Sequence, residues 1–456
     1  MRLWNYLKEK MLQHPAQKMC ENHAEMTFEE LIIWAEAFSK RLDGIKCCAI
    51  LCSSEMASAM SILACFAAGV TAVPLSIRYG TNHCKKILDF IDPDAIITDE
   101  GELCVVRILD SKFVKPKKHP ALIMCTSGTT GVPKGVMLSE KNILANVSDI
   151  STYFDIDSED TILISRSIYH CAVLTGELLT SLTKGTKIYF YSKPFNPQII
   201  LELIAKHKIT VFCSTPTLLS RIVYFRNRFP SESLRHICIS GECMNSNLGQ
   251  AIHNSFTNTK IYHVYGLTEA SPRVSYLPPE LFFEYSNCVG FPLKNVSIKI
   301  INSNGNLCDI NEEGVLWVKG KNIMMGYYQD PEKTSSIKKK NWLCTGDIAL
   351  KNEAGLLEIK GRADDMIIKS GMNIYPSEIE AAIKNDYRVK EVYVYGYDNK
   401  FGKQIGMKVS GDFTCVEEVK KLCSAVLPLF QIPSKIQLKK ELEKNGSGKI
   451  VRRRHK

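Results

Sequence analysis

Apolar positions along the first third of the chain alternate between two periods. In "TFEELIIWAEAFSKRL", Phe28, Leu31, Ile32, Ala35, Phe38 and Leu42 fall on one helical stripe, the three-and-four spacing of an amphipathic helix. Thr27 and Glu30 form a capping-box signature at its start. The runs "CCAILC" (47–52) and "AIIT" (95–98) read as short buried strands beside helix-like segments. "ASAMSILACFAAGVTAVPL" (57–75) contains Ser, Gly and Pro, so it is expected to be a buried helix running into a strand rather than a membrane span. Further on, "ITVFCSTPTLLSRIV", "LRHICISGE" and "KIYHVYGLTEA" repeat an apolar strand that ends in a polar loop. Such alternation predicts α/β layers, with ligand groups at the carboxyl ends of strands.

From about Asn287 to Lys360 the pattern becomes antiparallel. "SIKIINSNGNLCDI", "GVLWVKG" and "CTGDIALKNEAGLLEIKG" are strand-like runs separated by Asn-Gly and Glu-Ala-Gly turns. After "GRADD" comes a helix, "SEIEAAIK", which Ser377 and Glu380 are expected to cap, and then the strand "VKEVYVYGY". The expected architecture is a large N-terminal domain over 1–360, with layered α/β subdomains and a β-barrel-like subdomain at about 287–360. A compact α+β domain follows over 361–456, with "KGRADD" (360–365) as the linker.

Composition narrows the class. At 456 residues, 45% hydrophobic and 23% charged, the chain matches ordinary globular usage. The N-terminus "MRLWNYLKEKMLQHP" spreads its charges and has no apolar core with a small-residue cleavage site. No signal peptide or integral membrane segment is therefore expected, and a cytoplasmic location is. The seventeen cysteines are scattered, with no C-x-x-C pair, which suits buried thiols in a reducing compartment. His236, Cys238 and Cys243 match no zinc spacing. The net charge of +10 is concentrated beyond Gly361, where 19 Lys/Arg face 12 Asp/Glu. A basic end of this kind suits a phosphorylated cofactor, an acidic protein or nucleic acid. The terminal "VRRRHK" lacks interleaved aromatics, so no nucleic-acid partner is expected.

Candidate chemistry begins at "CTSGTTGVPKG" (125–135). A Walker loop needs its lysine directly after the second glycine, followed by Ser or Thr. Here Val132 and Pro133 separate Gly131 from Lys134, and Gly135 follows. The dinucleotide fingerprint fails as well, because Pro133 would interrupt the helix it must open. A loop whose N–H groups and hydroxyls close over polyphosphate remains, with an ordinary surface turn as the alternative on composition alone.

The whole string "TSGTTGVPKGV" resembles the phosphate loop of the adenylate-forming enzymes: acyl-CoA synthetases, luciferase-like ligases and peptide-synthetase adenylation domains. Downstream, "YGLTEA" (265–270), "TGD" (345–347), "GRADDMIIKSGMNIYPSEIE" (361–380) and "NGSGKI" (445–450) resemble the family's other motifs in their order.

The resemblance implies ATP, Mg2+ and a thiol acceptor, with a carboxylate attacking the α-phosphate before a thiol takes the acyl group. It implies Lys449 as the catalytic cation, Thr268 as a donor to the α-phosphate and Glu269 as the magnesium ligand. Thr126, Ser127, Gly128, Thr129, Thr130 and Lys134 would hold the β- and γ-phosphates. Gly241 and Glu242 would line the adenine pocket, and Tyr265, next to Gly266, would pack on the ring. Asp347 would accept from the ribose hydroxyls, with Arg362 nearby. Asp364 would be the hinge and Gly371 part of the thiol-binding face.

The resemblance also implies that His170 gates the acyl pocket, lined by Ala172, Ser240, Val264 and Pro272. An α-amino acid is disfavoured, because the position that would pair its amine is Ala172 and the nearest carboxylate is Glu177. An unpaired buried ammonium is costly. The small, mostly apolar lining suits a fatty, branched or aryl acid. The acceptor is expected to be coenzyme A or, alternatively, the phosphopantetheine arm of an acidic acyl or peptidyl carrier protein.

Overall fold

The computed structural model describes residues 2–101, 103–116, 118–127, 133–226, 232–369, 372–399, 402–444 and 450–452. The first helix stripe folds as expected. Phe28–Ser39 is helical, Thr27 accepts from the Glu30 backbone, and Glu30 returns the bond to Thr27. The long apolar run becomes the helix Glu55–Ala68 and the strand Thr71–Pro74. Among the described residues no helix is long and apolar enough to cross a membrane.

Two large sheets carry the α/β part. In the first, Thr71–Pro74, Cys47–Ile50 and Ala95–Glu100 pair in parallel, and the hairpin Leu122–Ser127/Pro133–Leu138 flanks them. The second has nine strands. Its parallel centre runs through Lys260–Gly266, His236–Ser240, Val211–Ser214, Thr161–Ile164, Lys187–Phe190 and Lys18–Glu21. Arg273–Leu277 then pairs antiparallel with Lys260–Gly266. Both faces of this sheet are buried. Cys213, Cys238, Tyr262 and Val264 belong to one core cluster, and Phe212, Ile237, Ile239 and Ile261 to another. That two-sided burial explains why these strands read as near-continuous apolar runs.

The segment 287–360 forms an antiparallel sheet of Val296–Ile301, Gly314–Gly320, Trp342–Lys351 and Leu357–Arg362. Its turns close where expected: Gly305 donates to the Asn302 carbonyl and Gly355 to that of Asn352. Beyond it, the strands Val389–Asn399, Gly402–Gly411 and Lys435–Leu438 pack with the helices Pro376–Ile383 and Val416–Val426 around a core of their own.

One local expectation is corrected here. The helix Pro376–Ile383 starts from Tyr375 without a side-chain cap. Pro376 occupies the first turn, where its fixed φ starts the helix without a capping hydroxyl. Ser377 Oγ instead donates to the Lys360 carbonyl at 2.5 Å. Glu380 turns inward, accepting from Val394 N at 2.9 Å and from Arg452 at 2.6 Å.

Arg452 also approaches Asp365 at 3.5 Å and lies over the Tyr393 ring. The first arginine of the basic terminus is therefore a structural anchor. Glu380 is buried, and burial pushes its carboxyl up while Arg452 opposes the shift. Breaking such a pair leaves a charge without its partner. Because Arg452 is a third exposed, Arg452→Ala is expected to cost about 2 kcal/mol in urea unfolding. Adding Glu380→Gln should recover most of that loss.

Candidate active site

The expected site residues gather at strand ends. Lys260–Gly266 delivers Tyr265, then turns through Leu267 into the short 3-10 turn Thr268–Ala270 and back along Arg273–Leu277. Gly266 sits where this return is tightest, since a Cβ there would come within 2.1 Å of the Pro272 carbonyl oxygen. Its neighbour strand ends at Ser240, and Gly241 turns away at φ 96°, a conformation that favours glycine. Glu242 then accepts from Thr217 N at 3.1 Å.

Asp347 arrives from the antiparallel sheet, where it is paired in register with Arg362. It is 9% exposed. The Tyr265 hydroxyl donates to one of its oxygens, and Arg362 Nη1 donates to the other at 3.1 Å. Arg362 Nη1 is also held by the Thr345 carbonyl at 2.7 Å. Burial pushes the Asp347 carboxyl up, and Arg362 and Tyr265 oppose it. The result is a nearly buried carboxylate with both oxygens held and a guanidinium beside it.

Lys134 comes from the first sheet, paired with Thr126 across the hairpin. It meets residues that the sequence did not single out. The strand Gly326–Tyr327 pairs with Val136 and Met137. Tyr327 donates its hydroxyl to Glu269 Oε1 at 2.7 Å, and Thr334 Oγ1 accepts from Tyr327 N at 2.8 Å. Thr334 lies on the helix Pro331–Ile337, capped by Asp330, which also carries Lys333. Lys134 is pushed down to about 8, first by burial and then by Lys333, with Arg362 adding to the effect and Glu269 opposing it. A half-buried lysine held against a second cation is the signature of a site completed by an anion.

Among the described residues no group of three or more His, Cys, Asp or Glu side chains could hold a metal. Glu269 offers a carboxylate beside Lys134, while Asp347 is taken up by Arg362 and Tyr265. That donor set fits Mg2+, which takes one or two carboxylates and otherwise phosphate oxygens and water.

Of the residues expected on the acyl side, two are shown as neighbours. Ser240 and Val264 are register partners on adjacent strands, and Pro272 opens the next strand. His170 is the N-cap of the helical segment that begins at Cys171 and carries Ala172. That segment widens into a π turn over Leu174–Leu179. A charged side chain lies close to these small residues. The buried guanidinium of Arg273, next to Pro272, packs against Gly176, one turn from Ala172. Asp364 lies in the 3-10 turn Ala363–Asp365. Thr126 and Ser127 end the strand Leu122–Ser127. Gly128, Thr129, Thr130, Gly371 and Lys449 lie outside the described residues.

A family profile described as AMP-binding enzyme matches residues 7–328. The chain belongs to the AMP-binding enzyme family. A long-chain-fatty-acid–CoA ligase of Haemophilus influenzae is 31% identical over 395 residues, covering 83% of this chain and 69% of that protein. A mitochondrial medium-chain acyl-CoA ligase of Mus musculus is 33% identical over 345 residues, 73% of this chain and 56% of the relative. The chain thus aligns with 56% to 69% of these relatives' lengths. Among solved structures, o-succinylbenzoate coenzyme A synthetase of Bacillus subtilis with ATP and magnesium superimposes at TM-score 0.83 and 26% identity, covering 98% of each chain. With its acyl-adenylate the same protein gives TM-score 0.85 at 26% identity, covering 98% of this chain and 97% of that one.

In an AMP-binding enzyme of this geometry, Tyr327 positions the Glu269 carboxylate without itself carrying charge. Tyr327→Phe is expected to raise the Mg2+ concentration for half-maximal activity about tenfold, with ATP saturating. Glu269→Gln should raise it further. An unchanged Mg2+ dependence in Tyr327→Phe would remove Tyr327 from this role.

Proposed function

We propose that the chain is an ATP-dependent, AMP-forming carboxylic acid–thiol ligase. The observation that carries this reading is the juxtaposition of a doubly held carboxylate (Asp347) with Lys134, Lys333 and Arg362 around Glu269. In the first half-reaction a carboxylate oxygen of the acid attacks the α-phosphorus of ATP, and pyrophosphate leaves. In the second, a thiol sulfur attacks the acyl carbonyl of the adenylate, and AMP leaves. Two anions meeting at phosphorus need fixed positive charge and donors, because the protein's contribution to such transfer is largely electrostatic.

In this reading Asp347 accepts from the ribose hydroxyls, and its bonds to Tyr265 and Arg362 keep both oxygens oriented. Tyr265 packs on adenine beside Gly241 and Glu242. Thr268 donates to the α-phosphate. The hairpin loop with Lys134 steadies the pyrophosphate end, and Lys333 joins it there. Glu269 would hold Mg2+, which supplies charge neutralisation to the polyphosphate. Lys449 reaches the α-phosphate and the attacking carboxylate. The unit after Gly361 turns about Asp364 between the two half-reactions, and its own hydrophobic core supports treating it as a separate body. Coenzyme A is the favoured acceptor, supported by the names of the curated relatives, and the basic charge beyond Gly361 suits its phosphates.

ATP–pyrophosphate exchange against a panel of acids tests the reading, and exchange with none of them would overturn it. Lys449→Ala should lower exchange on the order of 100- to 1000-fold while thiol transfer from a supplied acyl-adenylate stays within a few-fold of the parent. Equal loss of both half-reactions would contradict the two-position mechanism. AMP release with coenzyme A rather than a holo-carrier protein identifies the acceptor.

A further inference from the structure

Beneath Ser240, Val264 and Pro272 lies a group of charges that neither half-reaction uses. Arg273 is 2% exposed and heads the largest fully buried side chains. Its main chain is fastened on both sides: its N–H donates to Asn146 Oδ1 at 3.0 Å, and its carbonyl accepts from Asn146 at 2.9 Å and Asn322 at 3.0 Å. The guanidinium reaches across to the π turn, where a Cβ on Gly176 would sit 3.0 Å from Nη2. Glycine at that position makes room for the arginine head. Nη2 donates to Cys238 Sγ at 3.9 Å, while Nε finds no hydrogen-bond partner among the described residues.

The charge there is unbalanced. Glu177 is 0% exposed and already takes the Arg166 guanidinium on Oε1. Among the described residues Arg273 has no carboxylate within ion-pair distance, so it adds one positive charge beyond the Arg166–Glu177 pair. Burial pushes the Glu177 carboxyl up, against Arg166, and a proton on it would only enlarge that excess. The other groups around Arg273 are the Tyr153 phenol and the Cys213 and Cys238 thiols. Ser240 Oγ, on the sheet face that also carries Cys238, is buried without a partner among the described residues, as are Glu177 Oε2 and Arg166 Nε. A buried guanidinium without a full counter-charge is strongly disfavoured unless an anion completes it. The residues expected to line the acyl pocket adjoin that charge: Pro272 precedes Arg273 in the chain, and Ser240 shares a sheet face with Cys238, to which Nη2 donates.

We propose that the acid activated by this chain carries a second carboxylate, remote from the one adenylated, and that Arg273 is the specificity residue that pairs with it. The inference rests on the ligase reading for the location of the acid, and it replaces the fatty or plain aryl acid expected from the small residues alone. Ser240 supplies a further hydrogen bond to the same end of the substrate. The π turn is what brings Gly176 against the arginine, and widened turns of this kind recur at functional sites.

The test is ATP–pyrophosphate exchange by the full chain with dicarboxylic acids, each matched to the monocarboxylic acid of the same length and ring content. The expected kcat/KM favours the diacid on the order of 100-fold. Arg273→Met should bring the two members of each pair to within a few-fold, with the monoacid gaining. Because Arg273 is buried, Gly176→Ala provides a variant that displaces the guanidinium without deleting it, and it should cut the diacid preference about tenfold. A purely structural arginine would lower both acids together. Equal or better exchange with monoacids by the parent chain overturns the inference and leaves the ligase reading standing. Exchange with no acid at all overturns the ligase reading and this inference with it.

Discussion

Positive charge held close to positive charge is the constraint around which the site is built. Lys134 and Lys333 stand against each other with Arg362 near, and one carboxylate, Glu269, is held between them and Tyr327. Left to themselves, these side chains would swing into water. They stay because each is fixed from behind. Lys134 sits on a strand paired into the first sheet, and Lys333 on a helix stapled to Tyr327 through Thr334. Arg362 is fastened by Asp347 and the Thr345 carbonyl. In the ligase reading, a polyanion arriving there would relieve that unfavourable interaction, and the relief would be binding energy directed at phosphate.

The elements were largely legible in the sequence because their signals are local. Helical stripes, the Thr27–Glu30 cap, Asn-Gly turns and strands ending in polar loops each occupy a short window. The phosphate hairpin, Asp347, Arg362 and the Thr268–Ala270 turn were legible as well, because each sits inside a motif. Partners brought in from afar were not. Tyr327 and Lys333 approach Lys134 only through strand pairing between segments nearly two hundred positions apart in the chain. Arg273 was hidden for a different reason: it follows Pro272, so nothing local distinguishes it from a surface arginine that starts a strand. Its burial appears only once Gly176 is seen opposite it. The capping role assigned to Ser377 and Glu380 misread a helix that starts on proline, and a carboxylate that serves a buried ion pair was taken for a cap.

The same geometry links the two parts of the chain. Asp347 and Arg362 pair immediately before the 3-10 turn at Ala363–Asp365, and Asp365 is reached by Arg452 from the far end of the sequence. Ile450 bridges to Lys444 and Val451 donates to the Glu443 carbonyl at 2.8 Å. Residues 443–444 and 450–451 thus pair with each other, and Lys444 and Arg452 tie them to Glu391 and Glu380. A basic terminus that looked like a tail is, at Arg452, part of the joint.

The stored charge makes a direct thermodynamic statement. Lys134 is pushed down to about 8, so near that pH about half of the free protein lacks its proton, and a bound polyanion restores it. Calorimetry of Mg-ATP binding at pH 8, in two buffers of different ionisation enthalpy, measures that proton directly. The account predicts uptake of about half a proton per ATP bound, abolished in Lys134→Met. Binding without proton uptake, or uptake that persists in Lys134→Met, would contradict it.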